Sequence, residues 1–130
     1  MVFYLDTSAL VRLVVAEPET DALLAWLAAS DRNPASSDLA RTELVRAARR
    51  VAPDRMEQAR VVLESLTILD LPTATFEEAG RLGSDALRSL DAIHLAAALT
   101  LGDDLQGLVT YDDRLAKAAR ALGIPVVAPA

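Results

Sequence analysis

Carboxylates are the side chains of this sequence with the types and spacing to carry out chemistry. Asp6 ends one short apolar run, Asp112 and Asp113 follow another, and Asp91 opens an apolar helical stretch. Ligands of parallel α/β sheets bind at the carboxyl ends of the strands, so acids at such positions are candidates for a site. Asp before a helix is also a preferred N-cap, and capping is therefore the competing interpretation of each residue.

Glu43 is harder to explain as a structural residue. It lies on or beside the apolar stripe of a helix predicted over Asp38–Val51. The stripe consists of Ala40, Leu44, Ala47 and Val51. Two interpretations remain open: an edge residue paired with Arg46 or Arg50, and an acid directed inward at something polar.

The four acids would form an unusual site if they met. Two carboxylates about 6 Å apart repel by about 3 kcal/mol at an effective dielectric constant near 20. Such a cluster persists only if some members are protonated or a cation lies among them. Oxygen donors without His or Cys suit Mg²⁺ or Mn²⁺, and such a metal activates water and stabilises charge on a phosphate. Convergence of the acids would therefore predict phosphodiester hydrolysis.

The elements that must position these acids alternate between short strands and helices. The predicted strands are Val2–Leu5, Ala35–Ser37, Thr67–Leu71, Gly107–Thr110 and Pro125–Val127. The predicted helices follow Asp6 and cover Glu19–Ala29, Asp38–Val51, Asp54–Leu66, Thr75–Leu82, Asp85–Leu90, Asp91–Leu101 and Asp112–Leu122. This alternation predicts an α/β fold, in which helices cover both faces of a central parallel sheet of four or five strands. One domain, residues 1–130, accounts for the chain.

Composition excludes several classes of protein. The 130 residues include no cysteine and one histidine, which excludes disulfide scaffolds, thiolate zinc sites and cysteine nucleophiles. The net charge of −6 argues against general polyanion or anionic-membrane binding, although a local basic patch remains compatible with it. No targeting segment and no apolar run near ~20 residues are visible, so we expect a cytoplasmic protein without membrane association.

Four segments, in this order, carry a family resemblance: FYLDTSAL, ARTELVRAAR, LRSLDAIHLAAAL and LVTYDDRLAKAARALGIPVV. They resemble the PIN-domain ribonucleases, and within these the VapC-type toxins of bacterial type II toxin–antitoxin systems. The similarity covers nearly the whole chain. LDAIHLAAA and VTYDDRL are fairly specific strings, whereas DTS alone would be weak.

The resemblance implies a PIN domain that cleaves RNA by metal-activated water, using Mg²⁺ or alternatively Mn²⁺. Its metal-binding and catalytic residues would be Asp6, Glu43, Asp91 and Asp112. It also implies that the hydroxyl groups of Ser8 and Thr110 support the site, and Asp113 is the alternative to Asp112. The implied partners are RNA, a cognate antitoxin and a second copy of the chain in a homodimer.

Residues around the acids complete the prediction. Arg46, Arg88 and Arg114 would form a basic rim that guides RNA to the centre, with a solvated, ion-paired surface as the alternative. His94, one turn after Asp91, is expected to pack within its helix rather than to act in catalysis. Trp26 is expected in the core or at a partner interface.

Four other functions compete with this one. A PIN nuclease of RNA processing without an antitoxin and a degenerate PIN module that only binds both remain open. A phosphoaspartate receiver needs a lysine at the end of a late strand, but Lys117 lies inside a helical pattern. A haloacid-dehalogenase-type phosphatase needs a second Asp where this chain has Ser8.

Overall fold

Five parallel strands form the central sheet of the computed structural model, which describes residues 1–130. The strands are β1 (Val2–Leu5), β2 (Asn33–Ser37), β3 (Thr67–Leu69), β4 (Leu105–Val109) and β5 (Val126–Val127). Their order across the sheet is β3-β2-β1-β4-β5, so β1 is central. Leu5 pairs with Val109, which brings the residues after β1 and β4 to the same edge of the sheet. The predicted parallel α/β architecture is confirmed.

Helices cover both faces of this sheet. They are α1 (Thr7–Val11), α2 (Thr20–Ala28), α3 (Asp38–Val51), α4 (Met56–Ser65), α5 (Thr73–Ala79), α6 (Ser89–Leu99) and α7 (Asp113–Ala121). Phe3 and Leu5 of β1 pack with α1, α2, α3 and α4, whereas Tyr4 between them packs with α6 and α7. Successive residues of a strand point to opposite faces, which explains the continuous apolar character of β1. None of the helices is long and apolar enough to cross a membrane.

Two local predictions were wrong. No separate helix forms over Asp85–Leu90: residues 85–87 form a turn, and Ser89 and Leu90 are the first residues of α6, which begins two residues before the predicted Asp91. Gly83 initiates the turn with a φ of 71°, which L-residues rarely adopt, and a Cβ there would lie 2.8 Å from Leu87 Cδ2.

The buried stripe of α3 also differs from the prediction. Ala40, Leu44 and Ala48 form it, whereas Val51 is 56% exposed and Ala47 only partly buried. Residues four apart lie on nearly the same face of a helix, but each step rotates the row slightly around the axis. By Ala48 the buried row has rotated away from the side on which Val51 lies. Glu43 lies beside this row.

Boundaries and one aromatic residue complete the comparison. β3 ends at Leu69 rather than Leu71, α5 spans Thr73–Ala79 rather than Thr75–Leu82, and α1 ends at Val11. Trp26 packs edge-on against Phe3 with ring centroids 4.7 Å apart, so it belongs partly to the core.

Candidate active site

Asp6 and Asp112 follow the carboxyl ends of the neighbouring strands β1 and β4. The Asp6 backbone N–H donates to Val109 O over 3.2 Å, which extends the β1–β4 pairing to the aspartate itself. Each aspartate caps the helix that follows: Ala9 N–H donates to Asp6 Oδ1 over 3.1 Å, and Leu115 N–H to Asp112 Oδ1 over 2.9 Å. Capping is therefore real at both positions, but it does not account for their other contacts.

Two hydroxyl groups fix the carboxylate of Asp6, which is only 3% exposed. Ser8 Oγ donates to Oδ1 and Thr110 Oγ1 to Oδ2, each over 2.7 Å. Each hydroxyl in turn accepts a backbone N–H, Ser8 from Tyr111 over 2.9 Å and Thr110 from Asp112 over 3.0 Å. Burial raises the pKa of Asp6, and the hydrogen bonds from Ser8 and Thr110 act against this rise. The hydroxyls thus hold a buried acid in one orientation.

Asp91 is coupled by charge to both of these aspartates. It lies in the first turn of α6 and is not its cap, because the N-cap is Arg88. Burial, the charge of Asp112 and the charge of Asp6, in that order, raise the pKa of Asp91. Mutual repulsion of this kind is what carboxylates that share a cation-binding site experience when the cation is removed.

Glu43 is directed inward from α3. Its Oε1 accepts a hydrogen bond from Thr7 Oγ1 over 2.6 Å and lies 2.6 Å from His94 Nε2. Burial opposes ionisation, but the hydrogen bonds from His94 and Thr7 and the charge of His94 outweigh it and lower the pKa of Glu43. The alternative in which Glu43 pairs with Arg46 or Arg50 is wrong.

His94 is buried as predicted, but its contacts go beyond packing. An ionised carboxylate only accepts hydrogen bonds, so Nε2 of His94 carries the proton shared with Glu43. Its Nδ1 lies 2.8 Å from Tyr4 Oη, which donates to Ser37 Oγ over 2.9 Å. Ser37 and Tyr4, at the end of β2 and in β1, thereby help to position His94, which in turn holds the carboxylate of Glu43.

Sequence reasoning missed Tyr4, Thr7 and Ser37. A tyrosine inside a fully buried strand needs a partner for its hydroxyl, and a lone histidine in an apolar helix needs partners for both nitrogens. Tyr4 and His94 carried these signals, but a sequence does not tell which partner each one meets.

The donor set has the chemistry of a magnesium or manganese site. Only oxygen donors are offered by the four acids, which are Asp6, Asp91, Asp112 and Glu43. The charge of His94 favours the ionised forms of Asp6, Asp91 and Glu43. No three acidic or imidazole side chains are arranged to hold a metal in this conformation. Mg²⁺ keeps several waters and needs only one or two carboxylates, so the residues fit the ion without forming a closed cage.

The remaining predicted residues surround this group. Asp113 is the exposed first residue of α7, whereas the half-buried Asp112 interacts with Asp91. Arg88 is near enough for its charge to lower the pKa of Asp91. Arg46 and Arg114 are exposed.

The PIN domain family model matches residues 3–121. The chain belongs to the PIN domain family. This PIN domain is 43% identical over 130 residues to ribonuclease VapC47 of Mycobacterium tuberculosis, which covers 97% of this chain and 96% of the relative. Ribonuclease VapC46 of the same organism is 46% identical over 127 residues with the same coverage. The predicted resemblance to VapC-type proteins is confirmed.

Solved structures agree with the fold of this PIN domain. The toxin VapC20 of Mycobacterium tuberculosis, described as cleaving the sarcin–ricin loop, matches with a TM-score of 0.76 and 16% identity, covering 98% of this chain and 99% of that one. VapBC2 of Rickettsia felis, bound to promoter DNA, matches with a TM-score of 0.71 and 19% identity, covering all of both chains. At these identities the similarity shows the shared fold.

Proposed function

We propose that this PIN domain is an endoribonuclease toxin that requires Mg²⁺ or Mn²⁺ and is neutralised by a cognate antitoxin. The observation that carries the proposal is the charge-coupled group of Asp6, Asp91 and Asp112 at one edge of the sheet, in a chain similar over its length to ribonucleases. The similarity to a VapBC complex supports the antitoxin, and the proposal also includes a homodimer and a cytoplasmic location, which the family resemblance implies. Similarity to VapC proteins also favours a toxin over a PIN nuclease of RNA processing.

Asp6, Asp91 and Asp112 would hold the metal, with Glu43 beside them. When bound, the metal supplies a water of lowered pKa and neutralises charge that develops on the scissile phosphate. Ser8 and Thr110 keep the Asp6 carboxylate in position throughout.

Glu43 would act through its negative charge. Its lowered pKa makes it a weak base, so it is poorly suited to removing a proton from water near neutral pH. His94 and Thr7 instead hold this carboxylate ionised and in a fixed position, where it can complete the charge that binds the metal. The presence of all four acids argues against a degenerate module that only binds.

The test is cleavage of an end-labelled RNA by the purified protein in Mg²⁺, Mn²⁺, Ca²⁺ or chelator. We expect cleavage in Mg²⁺ and Mn²⁺, weaker or no cleavage in Ca²⁺, and none in chelator. Asp91→Asn should reduce the rate by at least 100-fold, whereas the exposed Asp113→Asn should leave it within about twofold. Equal rates in Mg²⁺ and chelator would refute the metal-dependent mechanism.

Co-expression tests the partner. A gene adjacent to that of this chain and encoding a small DNA-binding protein should yield a product that co-purifies with it and suppresses cleavage. Absence of such a product, with cleavage intact, would favour the nuclease of RNA processing.

A further inference from the structure

Three exposed arginines form a row on α3. Arg49 and Arg50 lie three and four residues after Arg46, so both neighbour Arg46 on one side of the helix. The three arginines alone line a concave surface with a volume of about 350 Å³. None of the three forms an ion pair within the protein.

Three other exposed arginines of the chain are ion-paired, whereas Arg55, Arg88, Arg114 and Arg120 are exposed without an ion pair but do not form a row. Arg41 binds Asp38, Arg60 binds Glu57 and Glu64, and Arg81 binds Glu78, each within one helical turn. A chain with 19 acidic residues and 13 basic ones has acids to spare, yet none neutralises the row on α3.

The row costs some stability because like charges at positions i and i+4, such as Arg46 and Arg50, repel each other. The dipole of α3 favours cations in the last turn, which accounts in part for Arg49 and Arg50. It does not account for Arg46, which lies further from the helix end. An external anion would compensate all three charges together.

The row begins beside the acidic centre. With about 100° of rotation per residue, Arg46 and Arg50 lie within about 60° of Glu43 around the axis of α3, and Arg49 within about 120°. The buried row of Ala40, Leu44 and Ala48 lies on the other side of Glu43. Along the axis, Arg50 lies about 10 Å beyond Glu43. The arginines therefore lead away from the centre toward the C-terminal end of α3.

We propose that Arg46, Arg49 and Arg50 bind the phosphate backbone of the RNA strand next to the cleaved bond, so that the strand follows α3. The inference rests on the proposed function, because it takes RNA as the substrate. A stacked strand has a phosphate about every 3.4 Å along its axis, so about 10 Å of helix spans two or three of them. Guanidinium groups match phosphate oxygens in pairs.

Contacts of these three arginines with an RNA strand would not depend on the base sequence. The row contains no aromatic side chain on which a base could stack, and phosphate contacts carry no direct base information. Selection of a particular RNA would therefore depend on residues outside the row.

The test compares two triple variants that each remove three positive charges. Arg46→Gln/Arg49→Gln/Arg50→Gln removes the row, and Arg41→Gln/Arg60→Gln/Arg81→Gln removes exposed, ion-paired arginines as the matched control. Binding of two fluorescent 12-nucleotide single-stranded RNAs of different sequence is measured in chelator between 50 and 200 mM salt. Circular dichroism verifies that both variants fold, and cleavage in Mg²⁺ is assayed separately.

We expect the row variant to lower the slope of log affinity against log salt by about 2, since each single-strand phosphate contact contributes about 0.7. The ratio of the RNA affinity of the wild type to that of the row variant should then fall about 20-fold between 50 and 200 mM salt. Both RNAs should behave alike, and the control should keep the wild-type slope.

Three results would overturn the inference. Equal losses in both variants would indicate general charge attraction, and absence of RNA binding by the wild type at 50 mM salt would remove the site. Unchanged RNA binding by the row variant, with weakened binding of a poly-glutamate peptide, would assign the row to an acidic protein segment. Because binding is measured without metal, failure of the inference is distinguishable from failure of the proposed nuclease activity.

Discussion

At the scale of single residues, Asp6 combines two roles that sequence reasoning treats as competitors. It caps α1 through Ala9 N–H, and it also receives hydrogen bonds from Ser8 and Thr110 on its two oxygens. A cap needs only the first of these contacts. The two hydroxyls, each oriented by a backbone N–H, instead fix the whole carboxylate, which is the arrangement expected of a group that must present its charge in one direction.

Asp6→Asn separates the two roles, because Asn is about as good an N-cap as Asp but carries no charge. Burial raises the native pKa of Asp6, so its protonated form contributes stability that is present below the unfolded pKa and is lost as the pH rises through the native pKa. Asn stays neutral at every pH. In chelator, we therefore expect the variant to match the wild type near pH 4 and to melt at a higher temperature at pH 7.

The control for this prediction is Asp113→Asn, which removes the same charge at an exposed position. Its melting temperature should follow that of the wild type across the pH range. RNA cleavage should be lost in Asp6→Asn and kept in Asp113→Asn. An Asp6→Asn protein that cleaves RNA at the wild-type rate would reduce Asp6 to a helix cap.

At the scale of elements, the buried hydroxyl group of Tyr4 lies in a hydrogen-bonded network that connects β1, β2, α3 and α6. Tyr4 of β1 donates to Ser37 at the end of β2 and lies 2.8 Å from His94 of α6, whose other nitrogen contacts Glu43 of α3. Every buried side-chain nitrogen and oxygen atom of the chain has a hydrogen-bond partner in the structure. The position of the Glu43 carboxylate therefore depends on how two strands and two helices pack.

Tyr4→Phe removes this hydroxyl with little change in shape. It leaves Ser37 and one nitrogen of His94 without a buried partner, which should cost about 1–3 kcal/mol in the free energy of unfolding. The looser His94 should also lower the cleavage rate at saturating RNA more than it raises KM, because Glu43 loses its fixed orientation. Urea unfolding and steady-state kinetics measure the two effects.

The matched control is the other tyrosine of the chain. Tyr111 donates to Pro129 O over 2.7 Å at the C-terminal end, and its hydroxyl has no link to Glu43. Tyr111→Phe should therefore cost less stability and leave the cleavage rate unchanged. Equal kinetic losses in the two variants would contradict the positioning role of Tyr4.

How much could be predicted from the sequence also differs by element. α3 begins and ends as predicted, because Pro53 stops a strongly amphipathic pattern just beyond Val51. The turn over residues 85–87 could not be distinguished from a short helix, because its geometry depends on Gly83, which has a positive φ and lies against Leu87.

The acids of the candidate site could be singled out because their positions after strands, or beside an apolar face, are local features of the sequence. The contacts of His94 with Tyr4 and Glu43 were not predictable, because these residues lie 90 and 51 positions away and meet only when α3 and α6 pack on the sheet. A resemblance aligns such residues, but only the fold shows which atoms touch.

At the scale of the whole molecule, the fold brings negatively charged side chains together although the chain already has a net charge of −6. Three aspartates from three separate segments interact near the carboxyl edge of the sheet, and burial disfavours ionisation of Asp6 and Asp91. Without a counter-ion this arrangement lowers the stability of the native state. A ligand that supplies positive charge there should therefore stabilise the entire domain.

Thermal melts in Mg²⁺ and in chelator test this directly. An ion that binds only the native state adds about 2.7 kcal/mol at a hundredfold excess over Kd, which raises the melting temperature by about 10 °C for a domain of this size. Because protons compete with the metal for Asp6 and Asp91, whose pKa values are raised, the shift should shrink as the pH falls from 8 toward 5. Ca²⁺ should stabilise the protein without supporting comparable cleavage, and Asp91→Asn should reduce the shift whereas Asp113→Asn should not. Identical melts with and without 20 mM Mg²⁺ at pH 8 would mean that the repelling aspartates serve some purpose other than holding a divalent cation.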